Sequence, residues 1–291
     1  NMSLRGVDAK LLQYCTKKID IVAPHINLTE IIANCLIKNP NTASSSNCML
    51  INIEGHGERY HSATNELEKL MFNNFVHLKA TYWKNKKDMI IDINFIKDFL
   101  RQHNTNINMC AVDIDIFSDI SDKNIYIQDG PLACYCSHLR ALIYGYIYFK
   151  DYTIIVEDDI LVANTENIAK YLKLIPDDWD VITLGSIPKS YEYIDAALPF
   201  YKYTTPFHST HFYIINHKCM DIIFQNMYPV FDQVDVLLSD LRDRINIYNI
   251  DKTAYQKSIS TNTQNNLHVI FNSPNYDVVR TELYKIDILS Q

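Results

Sequence analysis

The sequence predicts an α/β fold built on a three-layer, mostly parallel sheet. First, short apolar runs alternate with segments of helical periodicity from about residue 49 to residue 226. Second, 47% hydrophobic against 21% charged residues is the balance of a globular chain with a large core. Third, the run Tyr152-Thr-Ile-Ile-Val156 leads into Glu157, Asp158 and Asp159. A buried strand delivering acids to its carboxyl end sits where open α/β sheets bind their ligands.

From Leu4 to Lys38 the pattern is helical, with Leu11, Leu12, Cys15 and Ile19 on one face and Ile31, Ile32, Cys35 and Leu36 on another. Small polar residues from 39 to 47 read as a linker, which sets a helical appendage and linker over 1–43 before a main domain over 44–291. Met49 to Ile53 is the first strand, followed by a polar turn and a helix carrying Leu67, Leu70 and Met71. Lys79 to His103 is basic and aromatic, with a helix over 94–102, and Met109 to Asp115 is a strand ending in acids. After Gly130-Pro131, residues Leu139, Leu142, Ile143 and Tyr146 recur at helical spacing, with Ser137 as the cap. The acidic strand follows, then a helix over 164–174, a strand from Trp179 to Gly185, a Tyr- and Pro-rich loop over 188–206, a strand over 211–215 and a helix over 218–226. Beyond Pro229 the pattern is less regular.

A net charge of −7 with dispersed Lys and Arg gives no general attraction to nucleic acid or to an anionic membrane. No apolar run reaches the ~18 residues of a membrane span, and no secretory leader is recognisable, so a cytoplasmic or other reducing compartment with free thiols is expected for the seven cysteines. Only six glycines occur, none in a phosphate-binding loop of the G-x-G-x-x-G or G-x-x-x-x-G-K type, so a nucleotide must be held another way.

Three adjacent carboxylates repel one another, and a cation relieves that repulsion; hard oxygen ligands favour Mg²⁺ or Mn²⁺. In an extended conformation Glu157 and Asp159 share a side, with Asp158 opposite. The plain alternative is an acidic loop or helix start. Cys134-x-Cys136-x-His138 has zinc-ligand residue types, yet no second ligand pair follows at usable spacing, so a packed helix start is preferred.

Taken in order, Leu50 to Glu54 with Glu58-Arg59, Ala111-Val-Asp113, Gly130-Pro-Leu-Ala-Cys134 to Ala141, Ile155-Val-Glu157-Asp158-Asp159, Trp179 to Gly185, Thr210 to Ile215 and Val234-Asp235 form an ordered set. In that order and spacing it resembles the glycosyltransferase family of lipooligosaccharide-type galactosyltransferases and collagen hydroxylysine galactosyltransferases. The resemblance implies a fold with one nucleotide-sugar site (the GT-A type), a UDP-sugar donor, Mn²⁺ (or Mg²⁺) and transfer of galactose or glucose, with inversion, to a hydroxyl on a protein or glycan acceptor. By position it gives Asp159 and Glu157 to the metal, and Ile53, Arg59, Asp113, Ser137, His138, Glu157 and Asp158 to the donor; His211, beside the polar loop, is a further candidate for the metal or the diphosphate, with a hydrogen-bonded structural histidine as the plain alternative. Asp235 is the first candidate for the base and Asp180 the second, each with a helix-cap or strand-edge role as the plain alternative. Two departures stand out: the second glycine of the family's Gly-x-x-Gly-Cys is Ala133, and its Pro-x-Asp-Trp reads Gln233-Val-Asp235-Val. A metal-dependent phosphoester enzyme using Asp113 and Asp115, and a catalytically silent glycan- or protein-binding module, remain open alternatives. The sequence leaves the oligomeric state open.

Overall fold

The computed structural model describes residues 15–20, 47–70, 72, 74–103, 129–162, 165–184, 186–188, 200–227, 233–250 and 254–256. In chain order the strands are β1 (Cys15–Asp20), β2 (Cys48–Asn52), β3 (Asn74–Lys79), β4 (Tyr152–Glu157), β5 (Ile160–Val162), β6 (Val181–Leu184), β7 (Ile187–Pro188), β8 (Phe200–Lys202), β9 (Phe207–His208), β10 (Phe212–Asn216), β11 (Ile247–Ile250) and β12 (Ala254–Gln256). The helices are α1 (Gly57–Lys69), α2 (Lys86–His103), α3 (Asp129–Tyr148), α4 (Thr165–Leu172), α5 (Met220–Asn226) and α6 (Val234–Asp240).

One eight-stranded sheet has the order β1-β3-β2-β4-β10-β6-β11-β8. The strands β3, β2, β4, β6 and β11 run in one direction, while β1, β10 and β8 run against them. The expected mostly parallel α/β sheet is therefore present, with a reversed strand, β10, at its centre.

Alternation along the strands feeds two cores. Tyr152, Ile154 and Val156 of β4 and Phe212 and Ile214 of β10 face one side, with Leu67 of α1 and Ile168 and Leu172 of α4. Ile155, Tyr213 and Ile215 face the other, with Ile93 of α2, Leu139 and Leu142 of α3, Phe224 of α5 and Leu238 of α6. Helices on both faces make three layers.

Two polar links hold the layers in place. Arg140 of α3 pairs with Asp92 of α2 at 2.9 Å, and Thr81, just past β3, donates to the same carboxylate at 2.7 Å. Burial pushes Asp92 above the ordinary carboxylate range although Arg140 and Thr81 act the other way. On the other face, Glu66 of α1 accepts from the Val162 N–H at 2.8 Å and so ties the helix to β5.

The structure corrects three expectations. Residues Cys15–Asp20 are an edge strand paired antiparallel with β3, not helix, so that part of the expected appendage belongs to the sheet. A free sheet edge offers unpaired backbone groups, and pairing with them overrides a weak local period. Ser137 lies inside α3, which begins eight residues earlier, so it caps nothing; its hydroxyl donates to the Ala133 carbonyl and accepts from the Thr81 N–H, each at 2.8 Å. The helix expected over 94–102 begins at Lys86. The expected strand over 109–115 lies outside the described residues, as does the loop from residue 189 to residue 199.

Candidate active site at the carboxyl edge of the sheet

Because β2 and β4 are parallel, with Ile51 opposite Glu157, the residues that follow both strands emerge on one edge. After β2 the chain turns at Ile53, whose carbonyl accepts from His56 at 3.1 Å, and Gly55 takes a φ of 91° that other residues rarely adopt. The first turn of α1 then places Arg59 against the acids. Its Nη2 forms an ion pair with Asp158 and lies 3.3 Å from Asp159 Oδ2. Asn52 Nδ2 donates to Asp158 Oδ2 at 2.6 Å. Burial raises the Asp158 carboxyl above its usual range, with Arg59 and Asn52 opposing the rise. Asp158 thus fastens the end of β4 to β2 and α1.

Glu157 points to the opposite face, toward α3. His138 is fully buried there, with Nε2 3.0 Å from Glu157 Oε1 and Nδ1 3.1 Å from the Tyr213 hydroxyl. Burial works against ionisation of Glu157, but the hydrogen bond and charge of His138, together with His211 and Arg59, hold its carboxyl below the ordinary value. One helical turn before His138 stands Cys134. Burial drives its thiol well above the normal range, and the charges of Glu157, Asp235 and Asp159 add to the rise. Cys134, His138 and Glu157, from α3 and β4, each bring a side-chain atom within 4.8 Å of the other two. Cys134 is exposed to solvent.

The reversed strand supplies the far wall. Phe212 lies opposite Val156, so residues 208–211 reach the same edge by entering β10 rather than leaving it. Ser209 has a φ of 76°, a strained value for a residue with a side chain. Asp235 holds that turn: its Oδ2 accepts from the Ser209 N–H at 2.9 Å and lies 3.6 Å from His208 Nδ1, while Oδ1 accepts from its neighbour Val236 at 2.9 Å. Burial would raise Asp235, but His208 and the two N–H groups outweigh it and keep the carboxyl low. His211 is buried, with Nδ1 2.7 Å from Ser209 Oγ and its carbonyl accepting from the Glu157 N–H at 2.8 Å.

A family profile described as Glycosyltransferase family 25 (LPS biosynthesis protein) matches residues 46–238. The chain belongs to glycosyltransferase family 25. Its chemistry is therefore glycosyl transfer, and the matched segment spans every edge residue described above, from Asn52 to Asp235. No curated protein matches the chain. Among solved structures it is similar to a UDP-glucose pyrophosphorylase complexed with UDP-glucose, at 8% identity over 73% of this chain and 92% of that one with a TM-score of 0.33. An apo UDP-glucose pyrophosphorylase gives 10% identity, 72% and 92% coverage and a TM-score of 0.31. Likeness at that level carries no argument about this family 25 chain.

The structure gathers Ile53, Arg59, His138, Glu157, Asp158, Asp159, His211 and Asp235 along one edge. It does not bring Asp180 there. Asp180 precedes β6, and its carbonyl accepts from the N–H of Asn216, at the far end of β10 from His211. Five residues of strand separate the two ends, about 16 Å at a strand's rise. Asp180 instead accepts from the Asn246 N–H at 2.7 Å and faces Lys218 at 3.4 Å, which corrects its assignment as a base. Ser137 is buried and bridges backbone groups of α3 and residue 81. Asp113 and Asp115 lie outside the described residues.

Sequence reasoning missed Asn52 and Tyr213. Asn52 carried a signal, a polar residue closing an apolar strand beside a turn, whereas Tyr213 is indistinguishable in the sequence from any core aromatic. For a divalent ion this edge offers the carboxylates of Glu157 and Asp159 and the imidazole of His211, ligand types that Mn²⁺ takes, while among the described residues the group whose ligand atoms lie within 4.8 Å of one another is Cys134, His138 and Glu157. Among the described residues no helix is long and apolar enough to cross a membrane.

Proposed function

We propose that the chain moves a hexose, galactose or glucose, from a UDP-sugar to a hydroxyl of a protein or glycan acceptor, with inversion and with the help of a divalent cation. The observation that supports this reading is the placement of Arg59 and the acids Glu157, Asp158 and Asp159 beyond the carboxyl ends of two parallel strands, with Asp235 bonded to Ser209 at the entry to the neighbouring reversed strand. Asp159, Glu157 and the second ring nitrogen of His211 would hold Mn²⁺, which when bound supplies Lewis acidity to the diphosphate.

The remaining roles belong to the protein. Arg59 is the counter-ion of Asp158 and Asp159 and lies on the side where the diphosphate must sit, so it answers the charge left on the departing UDP. Ile53 borders the uracil. His138 fixes the orientation of Glu157 through their 3.0 Å contact. Asp235, held anionic by His208 and two backbone N–H groups, takes the acceptor's proton. The acceptor oxygen bonds to the anomeric carbon as the carbon–oxygen bond to UDP breaks, its electron pair leaving with the β-phosphate.

The test is UDP release from UDP-galactose and UDP-glucose with Mn²⁺, with and without acceptor. Asp159→Ala is expected to abolish release and Mn²⁺ binding while the melting temperature holds; full turnover in that variant would refute the metal role. A second reading, a silent glycan-binding member of the family, is favoured by one observation: Arg59 and His138 already engage Asp158, Asp159 and Glu157. Under it the parent chain releases no UDP from either sugar nucleotide yet retains glycan.

A further inference from the structure

We infer that Cys134, His138 and Glu157 form a binding site for a thiophilic divalent cation, zinc in the first instance, which shares Glu157 with the site proposed for the donor's cation and adds a sulfur and a nitrogen ligand of its own. One ligand atom from each of the three lies within 4.8 Å of the other two. Cys134 and His138 are one helical turn apart on α3, so they share a face, and β4 brings Glu157 in from outside the helix. This is why the residue types Cys134-x-Cys136-x-His138 look incomplete in the sequence: the third ligand arrives across the fold, while Cys136 turns into the core.

Three features argue for an ion rather than chance proximity. Zinc with one sulfur, one nitrogen and one oxygen ligand sets ligand separations of roughly 3.3–3.6 Å. His138 Nε2 and Glu157 Oε1 already stand 3.0 Å apart, and the remaining reach falls to Cys134, the solvent-accessible member of the three. Next, a metal-binding imidazole needs its other nitrogen fixed, and His138 Nδ1 faces the Tyr213 hydroxyl at 3.1 Å. That hydroxyl can accept as well as donate, so when a cation takes Nε2 the ring hydrogen that faced Glu157 moves to Nδ1, which then donates to Tyr213. Finally, three protein ligands, of which Cys134 is exposed, leave a fourth position for water, and sulfur with imidazole favours zinc over manganese. Cys134 binds as the thiolate, releasing its proton to solvent.

The site does not depend on the transfer reading. If that reading also holds, zinc removes Glu157 from the donor's cation and inhibits.

The experiment uses the full chain, stripped of metal under a phosphine reductant and titrated with Co²⁺. One equivalent is expected to give a thiolate-to-cobalt charge-transfer band that zinc bleaches and excess Mn²⁺ does not. Cys134→Ser and Cys134→Ala abolish the band and weaken zinc binding by more than the roughly tenfold that loss of an outer partner costs. Glu157→Gln keeps the band but weakens zinc, which serves as the readout if the cysteine variants fold poorly. Absence of a sulfur band in the parent, persistence of the band without Cys134, or unchanged zinc affinity in Glu157→Gln overturns the assignment.

Discussion

Replacing Gly145 with alanine tests how the site keeps its spacing. Gly145 of α3 lies directly over Thr153 of β4, and an added Cβ would sit 2.1 Å from Thr153 Oγ1, 2.6 Å from Cγ2 and 2.9 Å from Cβ. Thr153 cannot easily turn away, because its hydroxyl is bonded to His217 Nε2 at 2.8 Å. The helix must therefore rise by roughly 1 Å to restore ordinary contact, as overpacked cores do. In an open helix the change would stabilise by about 0.8–1.0 kcal/mol, since alanine is the better helix former. Overpacking costs about 1–3 kcal/mol, and with three atoms inside normal contact the upper part of that range applies, so the overlap wins. The melting temperature is expected to fall by several degrees, at about 2–4 °C per kcal/mol. Activity should fall further. His138 is on the same helix, and a rise of this size would carry its 3.0 Å bond to Glu157 beyond hydrogen-bond reach. Misplacement of about 1 Å costs up to about 10²-fold in rate. Thermal melting and UDP release read the two effects, and adding Thr153→Ala should recover part of the melting loss despite the forfeited His217 bond, a non-additive cycle. A Gly145→Ala protein that melts at or above the parent with unchanged turnover would refute the reasoning.

Two other substitutions separate roles along the sheet. Arg59→Met leaves Asp158 buried with Asn52 as its remaining bond from this pair of partners and should cost about 3 kcal/mol, the low end for a broken buried pair because Arg59 is partly exposed. The folded carboxyl, already raised, rises further, so the loss is full above its folded pKa and shrinks as pH falls through that value toward the ordinary range. Denaturant unfolding at about pH 8 and about pH 5 checks this, and an equal loss at both would contradict it. Asp180→Asn should leave UDP release unchanged and cost at most about 1.5 kcal/mol, since asparagine can still accept from Asn246; a large loss of turnover in a folded variant would return Asp180 to the site.

Much of this fold was legible because strands covered on both faces write themselves as near-continuous runs of apolar and β-branched residues: Met49 to Ile51, Tyr152 to Val156, Val181 to Leu184 and Phe212 to Ile215 all became strands. The helix α2 was misplaced although its signal was present, since Asn85 Oδ1 accepts from the Asp88 N–H at the helix start. The strand β3 was missed because His77 and Lys79 interrupt its apolar residues. The reversal of β10 could not be read at all, because apolar patterning carries no direction. Asp180 could have been set aside in advance: an acid before a strand and an acid after a parallel one fall on opposite edges. The ligands that meet Cys134 and His138 were hidden for a different reason, being fixed by tertiary packing and not by spacing along the chain.

The reversed strand divides the rim into parts with unequal freedom to change. A residue inserted within β4 would swap the two faces of that strand and send Glu157 away from α3, dismantling the cation end outright. A residue inserted between Ser209 and Phe212 would shift Ser209 and His211, and with them the contacts to Asp235 and Glu157, while the strand pairings of β10 with β4 and β6 stay in register. One part of this edge can therefore change length without disturbing the sheet, while the other cannot.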